Sequence, residues 1–192
     1  MVEDLVVLVD DKDNPLGYGT KEETHIVHEG KLGYHHRGLT VLVHDGQGRV
    51  LLQHRKHQIF DTAWDLAGST HPYLRSGRQE GYEEAALRCL KTEYSGFEDA
   101  TVLKSSVWVN YSAVDPRNGK YCENEFCRLV ISVHNTNVSH NSENAYGHEW
   151  ALFERLISDS RKNPNKYAPW VLDLISKIEN ERPKELAGIL KA

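Results

Sequence analysis

One segment constrains the fold more than any other. Residues 78–94 are rich in Glu, Ala, Leu and Lys, carry no Pro, and contain a single glycine, Gly81. These residue types lose little conformational freedom in a helix, so a helix is predicted there, with Gly96 placed to stop it. Short apolar runs of strand length surround it: 5–9, closed by Asp10-Asp11, then 102–109, 125–133 and 150–153. Residues 39–43 and 49–53 flank His44-Asp45-Gly46-Gln47-Gly48, a pattern that predicts a hairpin. Residues 169–178 and 183–190 read as C-terminal helices. One central helix among mixed strands, followed by late helices, indicates an α/β or α+β chain.

Composition narrows the function classes. The 192 residues suit one domain, and 39% hydrophobic with 27% charged residues is an ordinary globular balance. The net charge of −5 is scattered without a basic tract, so the chain lacks the electrostatic footprint of a nucleic-acid binder. No apolar run approaches the roughly 20 residues of a membrane span. The start is acidic from Glu3 onward, unlike a signal or transit peptide. Cys89, Cys122 and Cys127 are an odd number without CxxC spacing, which suggests a reducing compartment, the cytoplasm. Nothing in the sequence speaks to oligomeric state. Eleven histidines are the first compositional hint of a site.

Metal-ligand residue types recur in separate places: His25, His36, His71, Glu123 and Glu125. Strand side chains alternate, so Glu123 and Glu125 share a face. Two carboxylates that close repel unless a cation or a shared proton compensates. Three imidazoles and two carboxylates suit a divalent ion such as Zn, Mn or Mg. His35 competes with the adjacent His36 for this role. His28, His54, His57 and His134 read as surface or structural histidines.

On the central segment, Glu80, Arg88, Leu90, Glu93, Gly96 and Phe97 resemble a Nudix box, a loop and helix whose carboxylates hold divalent metal against a diphosphate. Cys89 and Thr92 stand where that pattern has glutamates, and Leu74 replaces its first glycine. The competing interpretation is an amphipathic helix with an exposed acidic face. The chain is also similar, in order and from about Leu5 to beyond Trp170, to the metal-dependent isopentenyl-diphosphate isomerases. Thr24-His25, His36-Arg37, Leu51-Leu52-Gln53, Trp64, His71-Pro72, Glu123-Asn124-Glu125 with Cys127, and Ala168-Pro169-Trp170 carry that resemblance.

The resemblance implies a single Nudix domain over 1–192, an α/β/α sandwich with a mixed sheet. Its parts are an N-terminal strand and metal-binding segment (1–37), a core (38–155) and C-terminal helices (156–192). It further implies that His25, His36, His71, Glu123 and Glu125 bind one metal, and that Glu93 binds Mg completed by a small-molecule diphosphate. Lys21, Arg55 and Arg88 would contact the phosphates, Glu125 and Tyr111 would handle protons, and Trp170 would lie over a carbocation, where an aromatic face is stabilising. Core packing remains open for Trp170, a strand-surface position for Tyr111, and a solvated turn for Lys21.

One departure bears on function. Two residues before His71-Pro72, where the family has a catalytic cysteine, this chain has Ser69. Isomerisation adds a proton at one end of an alkene and removes one at the other. A thiol with a pKa near 8.5 can be tuned for this, whereas a hydroxyl is far less acidic. The alternative for Ser69 is a hydrogen bond within a turn. Three functions follow as expectations: an isomerase of an isoprenoid diphosphate, a Nudix hydrolase using metal-activated water, or a non-catalytic diphosphate binder.

Overall fold

Alternation of apolar side chains along the strands decides how this chain layers. The computed structural model describes residues 4–135 and 137–190, so the extreme ends of the expected 1–37 and 156–192 segments lie outside the described residues. In chain order come β1 (Leu5–Val9), β2 (Pro15–Gly19), α1 (Lys21–His25), β3 (His36–His44), β4 (Arg49–Arg55), β5 (Trp64–Asp65), β6 (Gly68–Thr70), β7 (Tyr73–Arg75) and β8 (Arg78–Gln79). There follow α2 (Tyr82–Glu93), β9 (Tyr94–Ser95), β10 (Leu103–Val114), β11 (Cys122–Val133), β12 (Ser139–His140), β13 (Ala145–Leu152), α3 (Phe153–Lys162) and α4 (Pro169–Glu181).

β3 is the central strand and is buried at every position, as a strand covered on both faces must be. It runs parallel to β11, from Glu125↔His36 to Val133↔His44, and antiparallel to β6 and β1. β11 pairs antiparallel with β10, and β4 forms a second wing with β13 and β5. Successive β3 side chains enter opposite cores. Leu39, Val41 and Val43 pack with Ala85, Ala86 and Leu90 of α2. Leu42 packs with Leu129 of β11 and with Leu174, Ile175 and Ile178 of α4. The result is a mixed sheet between helices, an α/β/α sandwich. Each such fully buried aliphatic side chain contributes roughly 1.5–3 kcal/mol.

Several boundaries differ from the sequence expectations, each for a tertiary reason. The central helix starts at Tyr82, not at 78, because Arg78–Gln79 pairs with β7 and Glu80 is drawn inward. Glu80 accepts the Tyr73 backbone N–H at 3.1 Å and both Arg88 donors at 2.8 and 2.9 Å. The helix ends at Glu93, three residues before Gly96, because Tyr94–Ser95 pairs with β12; Gly96 then turns the chain at φ +102. Asp45 and Gly46 do form a tight turn, with Asp45 Oδ1 accepting the Gln47 and Arg49 N–H groups. The flanking strands nevertheless splay and pair only at His44↔Val50, since β6 takes the facing edge of β3 at Leu39, Thr40 and Val41 and β5 takes that of β4 at Gln53 and His54. The short strand expected at 150–153 is Ala145–Leu152, and Phe153 opens a helix not foreseen. The helix expected at 183–190 is only a turn of 3-10 helix, Lys184–Leu186, because Glu185 is held by Ser105 and Ser106. The first expected C-terminal helix runs on to Glu181. Lys21 begins a helix with a capping box, in which Thr20 and Glu23 bond each other's backbone, so the segment is a helical turn and not a loop, although Lys21, Glu22 and Glu23 are exposed.

Candidate metal centre and adjoining cavity

The five expected ligands come from α1, β3, the segment after β6, and β11. The carboxyl-terminal residue of α1, His25, has Nδ1 held by the Lys21 carbonyl at 2.9 Å and Thr24 Oγ1 at 2.7 Å, leaving Nε2 to point inward. His36 opens β3 with Nδ1 against the Tyr34 carbonyl at 2.8 Å, so Nε2 again faces in. Its neighbour His35 bonds the Val9 carbonyl at 3.0 Å and ties β1 to β3. His71 follows β6, and its carbonyl is gripped by Arg88 Nη2 at 2.8 Å. Glu123 and Glu125 alternate along β11, and the parallel register sets Glu125 directly beside His36.

These side chains meet. The three imidazole centroids are 4.7, 4.8 and 5.0 Å apart. Ligand atoms of His25, His36, His71 and Glu123 all lie within 4.8 Å of one another. Glu123 Oε2 is 3.4 Å from His25 Nε2 and 3.7 Å from His36 Nε2. Glu125 Oε1 is 2.8 Å from His71 Nε2 and 3.4 Å from His36 Nε2. Glu125 also lies hard over β3: a Cβ at Gly38 would come within 2.3 Å of its Oε1, so only glycine leaves room. Its other oxygen accepts the Tyr111 hydroxyl at 2.6 Å from directly across the β10–β11 ladder.

Electrostatics fit a cation. Burial, with the neighbouring His71 and His36, pushes His25 down to about 2, and burial likewise lowers His71 against the pull of Glu125. Both imidazoles are therefore neutral, so each can turn one ring nitrogen to a metal when its proton sits on the other. Burial opposes ionisation of Glu125, but the nearness of His36 and the bond with His71 outweigh it and hold the carboxyl below its ordinary range. Glu123, buried beside that anion, is pushed well above its ordinary range. His36 Nε2 and Glu123 Oε2 are buried without a hydrogen-bond partner, a costly state that a metal ion relieves. The donor set of imidazole nitrogens and carboxylate oxygens therefore fits a divalent ion.

A cavity of about 670 Å³ adjoins this cluster, and Lys21, Arg55, Ser69, Arg88, Glu93, Tyr111 and Trp170 all line it. Glu93 ends α2, accepts Gln53 Nε2 at 2.8 Å, and is raised by burial. Lys21 lies 5.1 Å from the centre of the Tyr73 ring. Arg88, besides gripping His71, is paired with Glu80, so much of its donor capacity holds the loop that presents His71. Arg55 donates to Asp65 at 2.8 Å. Trp170 is 2% exposed and belongs to the core, as the packing alternative expects, and it also forms part of the cavity wall. Tyr111 is buried, which sets aside a strand-surface position.

Ser69 is on β6, and its hydroxyl bonds Thr40 Oγ1 on β3 at 2.9 Å, so the turn alternative does not apply. Thr40 continues to Cys127 Sγ at 3.4 Å. His57, taken from sequence as a bland histidine, lines the cavity 3.9 Å from Glu93 and is pushed down to about 4 by burial and Arg55. Sequence reasoning missed Asp65, Gln53 and Thr40. For Asp65 the signal was there, a carboxylate in the otherwise apolar Trp64-Asp65-Leu66-Ala67.

No protein-family model matches the chain. A solved Deinococcus radiodurans protein superposes with a TM-score of 0.62 at 16% identity, covering 90% of this chain and 97% of that one. A Nudix hydrolase from M. smegmatis, RenU, superposes with a TM-score of 0.52 at 18% identity, covering 82% and 93%. The protein has the Nudix fold. Its sequence is 29% identical over 192 residues to an isopentenyl-diphosphate Delta-isomerase of Serratia proteamaculans, covering 97% of this chain and 99% of that one. Other relatives, from Schizosaccharomyces pombe and Aromatoleum aromaticum, carry the same name at 26% identity, so the chain is homologous to these isomerases over most of its length.

Proposed function

We propose that the protein isomerises isopentenyl diphosphate, or a closely related isoprenoid diphosphate, by adding a proton to one end of a carbon–carbon double bond and removing one beyond the other. The observation that carries this reading is the meeting of three histidines and two glutamates beside a Tyr111–Glu125 hydrogen bond at the wall of one cavity. The near-full-length likeness to isomerases supports it.

In this reading His25, His36, His71, Glu123 and Glu125 hold one divalent ion, Zn, Mn or Mg. Glu93 holds Mg shared with the diphosphate. Such ions supply positive charge, which compensates the paired carboxylates and the phosphates. Lys21, Arg55 and Arg88 supply donors to phosphate oxygens. The hydroxyl of Tyr111 and the carboxylate of Glu125, 2.6 Å apart, hold and move the proton. Trp170 faces the positive charge that develops on carbon. Ser69 lines the same cavity, with its hydroxyl tied to Thr40. The protein is assigned to the cytoplasm as a domain acting on a small molecule and not on nucleic acid. Its three free cysteines support that assignment. No helix among the described residues is long and apolar enough to cross a membrane.

The test is incubation of the purified protein with isopentenyl diphosphate and Mg, followed by product identification. Dimethylallyl diphosphate is the expected product. Release of inorganic phosphate would replace the reading with hydrolysis, and bound but unchanged substrate would replace it with a binding role.

A further inference from the structure

Asp65 stands where a carboxylate is least at home. It is fully buried on β5, and both of its oxygens are engaged. Oδ1 accepts the Trp170 indole N–H at 2.9 Å and the Leu66 backbone N–H at 2.8 Å. Oδ2 accepts Arg55 Nη1 at 2.8 Å. Arg55 Nη2 donates to the Ile59 carbonyl at 3.2 Å, and the guanidinium carbon lies 5.0 Å from the centre of the Trp170 ring. Arg55 and Trp170 both line the cavity that holds Tyr111 and Glu125. One carboxylate therefore joins β4, β5 and the first turn of α4.

A buried ion pair stabilises a fold little more than a packed apolar pair of the same volume, because desolvation offsets most of the attraction. Its value here lies in geometry and charge. An uncompensated guanidinium against the indole would set a full positive charge beside the ring that is to face a developing carbocation. Two unit charges roughly 5–10 Å apart, at an effective dielectric near 20, repel by an amount worth on the order of ten- to a hundredfold in rate. That is enough to offset what the ring itself returns as cation–π attraction.

We propose that Asp65 is a positioning residue that holds Arg55 and Trp170 as one unit in the cavity wall and cancels the arginine charge there. The wall then presents a neutral aromatic face to the hydrocarbon while keeping arginine donors at its edge. This rests on the isomerase reading above, and its charge-cancelling core is testable without it.

The experiment compares D65N, R55M and D65N/R55M with wild type, in turnover of isopentenyl diphosphate and in calorimetric binding of inorganic diphosphate. D65N is expected to lower kcat about tenfold or more, with KM unchanged or lower, because the unmasked Arg55 attracts the diphosphate. It should bind inorganic diphosphate about threefold more tightly than wild type. Adding R55M to D65N should recover part of kcat and weaken diphosphate binding. A purely structural pin would lose kcat and diphosphate affinity together, with no recovery in the double variant, and that pattern overturns the proposal. Should D65N not fold, the same substitution in the R55M background decides, because it then removes an uncompensated anion. It is expected to leave diphosphate binding equal or stronger, and any weakening overturns the proposal. If wild type does not isomerise the substrate, the isomerase reading falls and the diphosphate arm alone rules on Asp65. Tighter binding by D65N upholds the charge-cancelling role, and equal or weaker binding overturns it.

Discussion

Tyr111 and Glu125 face each other across the β10–β11 ladder, and the tyrosine hydroxyl donates to Glu125 Oε2 at 2.6 Å. The strand register places the pair, so the bond does not depend on a flexible loop. Tyr111→Phe keeps the ring in the core and removes only the hydroxyl. Turnover of isopentenyl diphosphate should fall by about 10²–10⁴, the usual worth of a positioned acid or base. Circular dichroism should be unchanged. Full activity in this variant would remove Tyr111 from the proton path.

Metal binding should release protons. Glu123 is pushed well above its ordinary range by burial and by Glu125, so without metal its carboxyl keeps its proton to higher pH than a free one does. A ligand carboxylate must be ionised. Calorimetric titration with Zn or Mn, repeated in buffers of different ionisation enthalpy, should show net proton release on binding. Affinity should rise with pH. A heat independent of buffer would contradict the assignment.

Gly38→Ala adds one methyl group where Glu125 Oε1 would lie 2.3 Å away. The change carries no charge, yet it should displace Glu125 and cut metal affinity by about 10–100-fold, as loss of ligand support does elsewhere. Metal content after dialysis measures this. Retention of a full equivalent of metal would show that Glu125 is not needed to hold it.

Ser69→Cys places a thiol on β6 against Thr40 and toward the cavity. If the scaffold is an isomerase with one weak group, turnover should rise by about 10²–10⁴. Activity left at background in the variant, while wild type turns over another diphosphate, would end the isomerase reading and leave only the fold.

Glu185 links the C-terminal turn to β10. Its carboxyl is lowered to about 2 by the Ser106 backbone N–H and by the Ser105 and Ser106 hydroxyls. A folded-state value below the unfolded one of about 4.3 stabilises the fold above pH 4.3 and loses that contribution as pH falls toward 2. Glu185→Gln should therefore cost about 1 kcal/mol at pH 7, after allowance for partial exposure. Urea melts should show the gap to wild type closing between about pH 4 and 2.

How much of this was legible in the sequence follows from which interactions are local. Residue type and spacing alone marked the central helix, the strands around β3 and β11, the turn at Asp45-Gly46, and the shared face of Glu123 and Glu125. Each of these depends on backbone propensity or on side-chain alternation over a few residues. Order along the chain carried the likeness to isomerases, from Thr24-His25 to Ala168-Pro169-Trp170. The convergence of His25, His36 and His71, which belong to three different elements, was decided by the parallel β3–β11 register and by Arg88 holding the His71 carbonyl. Helix ends were decided the same way, at Tyr82 by inward pairing of Glu80 and at Leu186 by anchoring of Glu185. The union of Asp65, Arg55 and Trp170 spans 105 residues between Asp65 and its indole donor. No local propensity encodes such a bond. It exists only once β4, β5 and α4 have packed and the buried carboxylate has no water left to bind, so its partners must be protein.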